Sequence, residues 1–427
     1  MTSPPDSSTE PAEPNEQERR VLRSEPLFMR WVLAESVTMT GTAMTFVVLP
    51  VLVFDLTGSA GLTGLVFASR LIPYLLFGLI AGPIADRSSR RRLIIGGNIV
   101  EGCLIATIPI AALLDALTVA HVFVVALLGA TAYVFSDAAV FGAVPSLVHR
   151  DRLAAANGLL STLGASADIA GPIIAGILIA TIGAANALWL DAGSFLIAAA
   201  VQSRIRSDFR RTGTATAPST IRRQLGTAFG FIRQQRTVFT LIAVGFGNSI
   251  AIGIVFGLLV PWSVEIQGYD TDDARLGIVY AAVGVGSMIA GLVFSRLFRP
   301  ERIPILTPAS LALSTVASVL LLVSMPTVAA LPVGVFSIGI MVTITTGITY
   351  RQLATPDTLT STVNTIGRMI AAGGQPLGAA IGAAIATTTT ITTAYVAATC
   401  TMALTATLAF VLLRSQHTAL PEAAAGV

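Results

Sequence analysis

The chain contains no lysine: all 26 of its basic residues are arginine. It also has only 2 cysteines, 3 histidines and 11% charged residues, where a soluble domain carries about a quarter charged. Each shortage excludes something. Cys103 and Cys400 fall inside separate apolar runs, far apart in sequence. That placement suits buried small hydrophobes and offers neither a disulfide framework nor a thiolate metal site. His121, His149 and His417 make no ligand pattern, and no phosphate-cradling glycine loop is present. ATP or metal chemistry has no basis here, so the expectation is neither an enzyme nor a cofactor-binding protein. The scarcity of charge excludes a soluble fold.

What is present is apolar sequence. Hydrophobic residues make up 54% of the chain, and the mean hydropathy is +0.79. Runs of about 20 apolar residues recur, each long enough to cross a hydrocarbon core of about 30 Å. Inside lipid only helices and closed barrels satisfy the backbone, and these runs are far longer than barrel strands. The expected fold is an all-α membrane protein. Its spans read as 29–53, 60–82, 93–114, 118–145, 153–181 and 185–203, then 237–263, 276–296, 304–325, 328–349, 358–387 and 390–413.

This divides the chain into a polar tail (1–28), a first six-span unit (29–203), a basic linker (204–236), a second six-span unit (237–414) and a short tail (415–427). The first tail is rich in Pro and Glu and lacks the apolar core of a signal peptide, so it reads as a retained, disordered segment. Within the linker, Leu225, Phe229 and Ile232 recur at helical spacing among arginines, the pattern of an amphipathic helix on a membrane surface.

Short cytoplasmic loops retain positive charge, and 23 of the 26 arginines fall on one side when the N-terminus is placed inside. Arg275 alone lies in an outer loop, while Arg70 and Arg368 sit within spans. Both termini are therefore expected in the cytoplasm. A net charge of +3 reads as a topology signal facing membrane lipid, with no nucleic-acid partner.

The two halves echo each other. "GPIADRSSRRRLI" follows span 2 and "GLVFSRLFRPERI" follows span 8, so that Gly82 and Arg87 match Gly291 and Arg296. Span 5 holds "AGPIIAGILIATIG" and span 11 "GQPLGAAIGAAIATT", aligned on Pro172 and Pro376. Such weak internal symmetry is the mark of a duplicated transporter fold.

These residues resemble the major facilitator superfamily, over almost all of residues 26–414. The loop after span 2 is similar to that superfamily's Gly-x-x-x-Asp-Arg-x-x-Arg-Arg signature, carried here by Gly82, Asp86, Arg87, Arg90 and Arg91, with Ser89 where Gly is common. Span 5 resembles the exporters' antiporter signature through Gly158, Gly171, Pro172 and Gly176, with Ala167 where Gly is usual. The stretches 54–92, 144–160 and 190–200 resemble the branch holding enterobactin exporters, macrolide efflux proteins and actinobacterial multidrug pumps.

The resemblance implies two pseudo-symmetric six-helix bundles that alternate access to a midplane site. It gives the 2–3 loop the task of a cytoplasmic gate, for which arginine forks suit carboxylates better than ammonium does. In span 5 it implies close backbone approach at small residues and a bend at Pro172.

Ionisable residues within spans are functional candidates by default. Glu35, Asp137, Asp168 and Glu101 are the candidate proton carriers, with Glu35 and Asp137 ranked first and Arg70 and Arg368 as counter-charges. Relatives commonly place an acid where this chain has Thr42, seven residues beyond Glu35 and on the same helix face. Asp191 and Arg70 sit in family-like phrases and also read as structural. Phe46, Tyr74, Tyr133, Phe246, Phe256 and Met341 are candidates for a cavity lining, and Asn248, Asn364 and Gln375 for substrate contacts.

The expected function is proton-coupled efflux of small amphipathic organic compounds, drugs or siderophore-like metabolites, across a bacterial cytoplasmic membrane. A monomer is expected, powered by the proton gradient alone. A proton-linked uptake permease and a non-transporting sensor or assembly protein are the alternatives.

Overall fold

Leucine, valine, isoleucine and alanine in long uninterrupted runs leave the backbone no solution in lipid other than helix, and helix is what forms. A computed structural model of the protein describes residues 26–148, 152–205 and 221–415. The first tail up to residue 25 lies outside the described residues, as do the Asp86 side chain and most of the linker before residue 221.

The first half contains α1 (Pro26–Thr57), α2 (Ala60–Arg87), α3 (Arg90–Leu113), α4 (Val119–Leu147), α5 (Leu153–Ile182) and α6 (Ala184–Ser203). A short helix, α7 (Ile221–Gln234), lies in the linker. The second half contains α8 (Arg236–Gly257), α9 (Leu259–Glu265), α10 (Arg275–Leu297), α11 (Ile303–Leu320), α12 (Ala330–Ala354), α13 (Asp357–Ala372), α14 (Gly374–Thr388) and α15 (Ile391–Arg414). Among the described residues, twelve segments are long and apolar enough to cross a membrane, and there is no strand.

Two expected spans are interrupted. The seventh breaks after Gly257 and resumes as α9, while the eleventh breaks at Gly373 between α13 and α14. At the first break the Tyr395 hydroxyl donates to the Val255 carbonyl at 3.0 Å, and the Trp262 indole donates to the Leu321 carbonyl at 2.7 Å. Burying these aromatics beside the break gives freed backbone groups a partner in a place without water.

Apolar residues cover the outside as well as the core: Leu76, Ile305, Leu331 and Leu404 are all exposed. A soluble surface would not carry so many, whereas lipid solvates them. Cys103 and Cys400 lie on this outer surface too, which corrects the expectation that both are buried. With lipid as solvent, an apolar residue needs no interior, so sequence hydropathy cannot separate the two faces. Arg351, which sequence position alone assigns to a loop, is 3% exposed inside α12.

The halves meet along two crossings, α5 against α10 and α2 against α14. Small residues make both possible. A Cβ added to Gly277 would stand 3.0 Å from the Cα of Gly176, and one on Gly284 would fall 2.6 Å from the Asp168 carbonyl oxygen. That carbonyl is the one Pro172, four residues on, leaves without its helical donor. Across the other crossing, a Cβ on Gly64 would meet that of Ala383 at 3.0 Å. Thr271 donates to Asp55 at 3.0 Å on the same end of the molecule.

At the opposite end, which carries the 2–3 loop, Gly82, Gly158 and Gly291 have open space where a Cβ would point. The outer part of the eleventh span, α14, packs along α2 whereas its inner part, α13, barely touches it, so the bundles are pressed together at one end and parted at the other.

Candidate functional site

Because the crossings lie toward one end, a space remains between the bundles below them. It is a cavity of about 440 Å³, walled by α1, α2, α4 and α5 on one side and by α8, α10, α12 and α14 on the other. Its lining is mainly apolar and aromatic, including Met39, Phe46, Phe67, Tyr133, Phe256 and Met341. Phe46 and Phe67 meet edge to face with centroids 5.2 Å apart, a favourable aromatic geometry. Asp168 is the charged residue in the wall, and Gln375 and the Tyr280 hydroxyl add polarity. That hydroxyl is enclosed without a hydrogen-bond partner in the protein. The cavity has the size and the character of a small-molecule site, apolar with a few convergent polar groups.

The structure separates the sequence candidates into groups. Tyr133, Phe46, Phe256, Met341, Asp168 and Gln375 line the cavity. Tyr74 lies beside it, against Tyr133 with ring centroids 6.2 Å apart, and Phe246 backs onto Gly374 through its carbonyl. Asn364 instead accepts a long bond of 3.4 Å from Arg351 Nε. Asn248 is fully enclosed in α8, with neither amide atom hydrogen-bonded.

Within the first bundle the intramembrane charges gather around two smaller cavities. One, of about 30 Å³, is lined by Glu35, Asp137, Asn98, Ser136 and Glu101. Here Gln202 donates to Glu35 at 3.4 Å and accepts from Asn98 at 2.8 Å. Asp137 also feels the charge of Arg368 from the second bundle. The other, of about 150 Å³, is lined by Arg70, Glu101, Asp191, Thr45 and Tyr74. Asp191 accepts from Thr45 and, at 3.3 Å, from Ser194. Thr42 lines all three cavities.

Sequence reasoning did not single out Met39, Phe67 and Tyr280, which line the cavity beside the named candidates. No residue pattern distinguishes a cavity-facing Phe from a lipid-facing one in an all-apolar helix.

Of the 2–3 loop residues, Arg87 is exposed, Arg90 is buried, and Arg91 donates to the Ser203 carbonyl at the end of α6. The partners of the Asp86 carboxylate lie outside the described residues. In span 5, Gly171 packs on α1, where an added Cβ would sit 2.8 Å from the Thr40 carbonyl oxygen. Gly176 packs on Gly277, Pro172 is buried beside the cavity, and Gly158 faces open space.

Two bundles of six helices, joined by a linker and enclosing a central cavity, define a membrane transporter. Residues 31–378 match the Major Facilitator Superfamily, and the chain belongs to that family; it is a multi-pass membrane transporter, not an enzyme. It is 27% identical over 296 residues to the multidrug efflux pump Tap of Mycobacterium tuberculosis, covering 67% of each chain. To Tap of Mycolicibacterium fortuitum it is 30% identical over 274 residues, covering 61% of this chain and 64% of that one. Macrolide efflux protein A of Streptococcus pyogenes matches at 21% over 255 residues, covering 60% and 62%.

The fold is shared with a bacterial homologue of the human lysosomal transporter Spinster in an inward-facing, occupied conformation. Its TM-score is 0.73 at 12% identity, covering 94% of this chain and 98% of that one. The nucleoside transporter NupG has a TM-score of 0.74 at 13% identity, covering 91% and 100%.

Proposed function

We propose that this protein exports small amphipathic organic compounds from a bacterial cytoplasm by proton antiport, working as a monomer by alternating access. The observation that carries the reading is the aromatic-lined cavity between bundles, whose interface is closed at one end and open at the other. Export accords with the similarity to efflux proteins of other bacteria. With the arginine-rich loops in the cytoplasm, as the positive-inside rule requires, the splayed end faces inward and both termini are cytoplasmic.

Proton coupling rests on the acids of the first bundle. Glu35 and Asp137 lie nearest the splayed end and are the first carriers; Glu101 and Asp168 lie deeper. A carboxyl in a membrane interior is costly when charged and unpaired, so a change of face that exposes or covers it also moves its proton. Asp137 has a second function in this scheme. Its interaction with Arg368 spans the two bundles and so changes whenever they rock.

Gly82, Asp86, Arg87, Arg90 and Arg91 form the latch that joins the cytoplasmic ends when the protein faces outward. In the inward-open geometry Arg91 is held instead by the end of α6.

Transport in proteoliposomes under an imposed proton gradient tests this reading, with ethidium and erythromycin as probes. The expected result is gradient-driven movement away from the side that carries the termini. Movement indifferent to the gradient would rule out antiport, and accumulation on the terminal side would establish uptake instead.

A further inference from the structure

Glu101 occupies an unusual position. It is 4% exposed, its Oε1 atom has no hydrogen-bond partner, and it lines both small cavities of the first bundle. Arg70 is equally underused: its Nη1 atom is enclosed without a hydrogen-bond partner, and the guanidinium lies 5.2 Å from the centroid of the Phe46 ring. Phe46 in turn lines both the 150 Å³ cavity that holds Arg70 and the 440 Å³ cavity between the bundles. The ring of Phe46 thus borders both the candidate substrate space and the cavity that holds Arg70, and Glu101 lines that same cavity.

We propose that Glu101 is the proton-exchange point of this transporter and that Phe46 is the positioning residue through which bound substrate acts on it, by shifting Arg70. The proposal rests on the antiport reading above and deepens it.

Charge balance supports the assignment. Arg70 is the single cation lining the cavity that also holds Glu101 and Asp191, so one of those two carboxyls has no counter-charge there. Asp191 accepts from Thr45 and Ser194, and hydrogen bonds to a carboxylate favour its ionised form. Glu101 Oε1 has no such support, so the proton belongs on Glu101.

The groups around it are Glu35 from α1, Arg70 and Tyr74 from α2, Tyr133 and Asp137 from α4, and Asp191 from α6. Arg368 of the second bundle acts on Asp137 and Tyr74. Arg70 is the one cation lining those two cavities, and its place is decided by a contest between the Phe46 face and the two carboxylates. A cation over an aromatic face gains about 0.5–2 kcal/mol, little enough for substrate contact to overturn.

The sequence of events follows. With the cavity empty, Arg70 sits on Phe46 and Glu101 keeps its proton. Substrate entering from the splayed end presses on Phe46, and Arg70 moves onto Glu101. The carboxyl O–H bond breaks, and the proton leaves by the 30 Å³ cavity toward Glu35 and Asp137. Glu101 remains as a carboxylate paired with Arg70. The 150 Å³ cavity has room for several waters and the 30 Å³ one for two or three, since each needs about 10–15 Å³.

Infrared pH-difference spectra of the purified full-length protein test the assignment without any substrate. A protonated-carboxyl band is expected at neutral pH, and Glu101→Gln should remove one carboxyl's share of it. It should be weakened in Phe46→Leu, which frees Arg70, and restored in Phe46→Trp, which keeps an aromatic face. Asp191→Asn leaves Arg70 to Glu101 alone and should also weaken the band, which covers the case in which Glu101→Gln does not fold. A band unchanged in Glu101→Gln, or in a folded Phe46→Leu protein, overturns the proposal.

A second arm adds erythromycin to weakly buffered protein and follows proton release with a dye. About one proton per bound drug is expected from wild type, by linkage between the two ligands, and none from Glu101→Gln. Binding without release from wild type would defeat the antiport reading itself. Equal release from wild type and Glu101→Gln would leave antiport standing and overturn only this assignment.

Discussion

The two bundles share a fold but differ in what they bury. The first has Glu35, Glu101, Asp137, Asp168 and Asp191 within its spans, with Arg70 among them. In the second, the acids sit at the ends of segments: Glu265 closes α9, Glu301 stands just before α11 and Asp357 opens α13. Its interior polarity comes from hydroxyls such as Ser310, Ser314, Thr343 and Thr346, and from Arg351. Most of those hydroxyls bond to a carbonyl one turn back or on the neighbouring helix, as Ser314 does to Phe336 at 3.0 Å. Such groups are satisfied by the backbone and have no charge to lose. Under the antiport proposal this is a division of labour: the acids of one bundle would exchange protons, and the other would supply a packed wall against which the first moves.

The sharpest way to break this comparison is to neutralise the first bundle. Glu35→Gln with Asp137→Asn should lower gradient-driven transport in proteoliposomes by about tenfold or more, the factor that about 1.4 kcal/mol supplies. The amount of protein inserted should not change, and a double variant that pumps normally would place the coupling elsewhere.

The crossing comes next. Gly277→Leu drives a side chain into Gly176, and overpacking of this kind costs about 1–3 kcal/mol. Thermal unfolding of the purified protein should shift down accordingly, whereas Gly291→Leu, which points into open space, should leave it unchanged.

A smaller effect is expected in the second bundle. Ser314→Ala removes an interhelical hydroxyl bond worth about 0.6 kcal/mol in a membrane setting, and transport should survive it. Loss of coupling in that variant would erase the distinction between bundles.

The smallest lies outside the membrane. Arg275 donates to Asp273 through Nε at 2.7 Å and its backbone N–H donates at 2.8 Å, holding that carboxyl below its ordinary range. A depressed carboxyl adds stability above its unfolded-state value, and that stability is lost as pH falls through the folded-state value. Asp273→Asn should therefore flatten the acid side of a stability–pH profile, by under about 1 kcal/mol for so exposed a pair.

Much of this was legible beforehand for a physical reason. Twelve apolar runs can do little in lipid except form helices, and the echo of Gly82 and Arg87 at Gly291 and Arg296 reveals the duplication. The breaks after Gly257 and at Gly373 were not legible, because an apolar run reads alike whether its helix is continuous or interrupted. Cys103 and Cys400 were misplaced for a related reason: hydropathy does not tell a lipid-facing residue from a core one. Arg351 was indistinguishable from a loop arginine, since its burial depends on Asn364 from another helix.

The sequence by itself therefore determined the solvent this protein lives in, the number of its spans and the short list of charges that any mechanism must use. These follow from local composition, because the cost of a polar group in hydrocarbon is set residue by residue. Only the tertiary structure decided which charges meet. Glu101 and Arg70 come from different helices, 31 residues apart, and the ring of Phe46 comes from a third. Their juxtaposition depends on how helices rotate and cross, which small residues such as Gly176 and Gly277 permit but which no single run of sequence can specify.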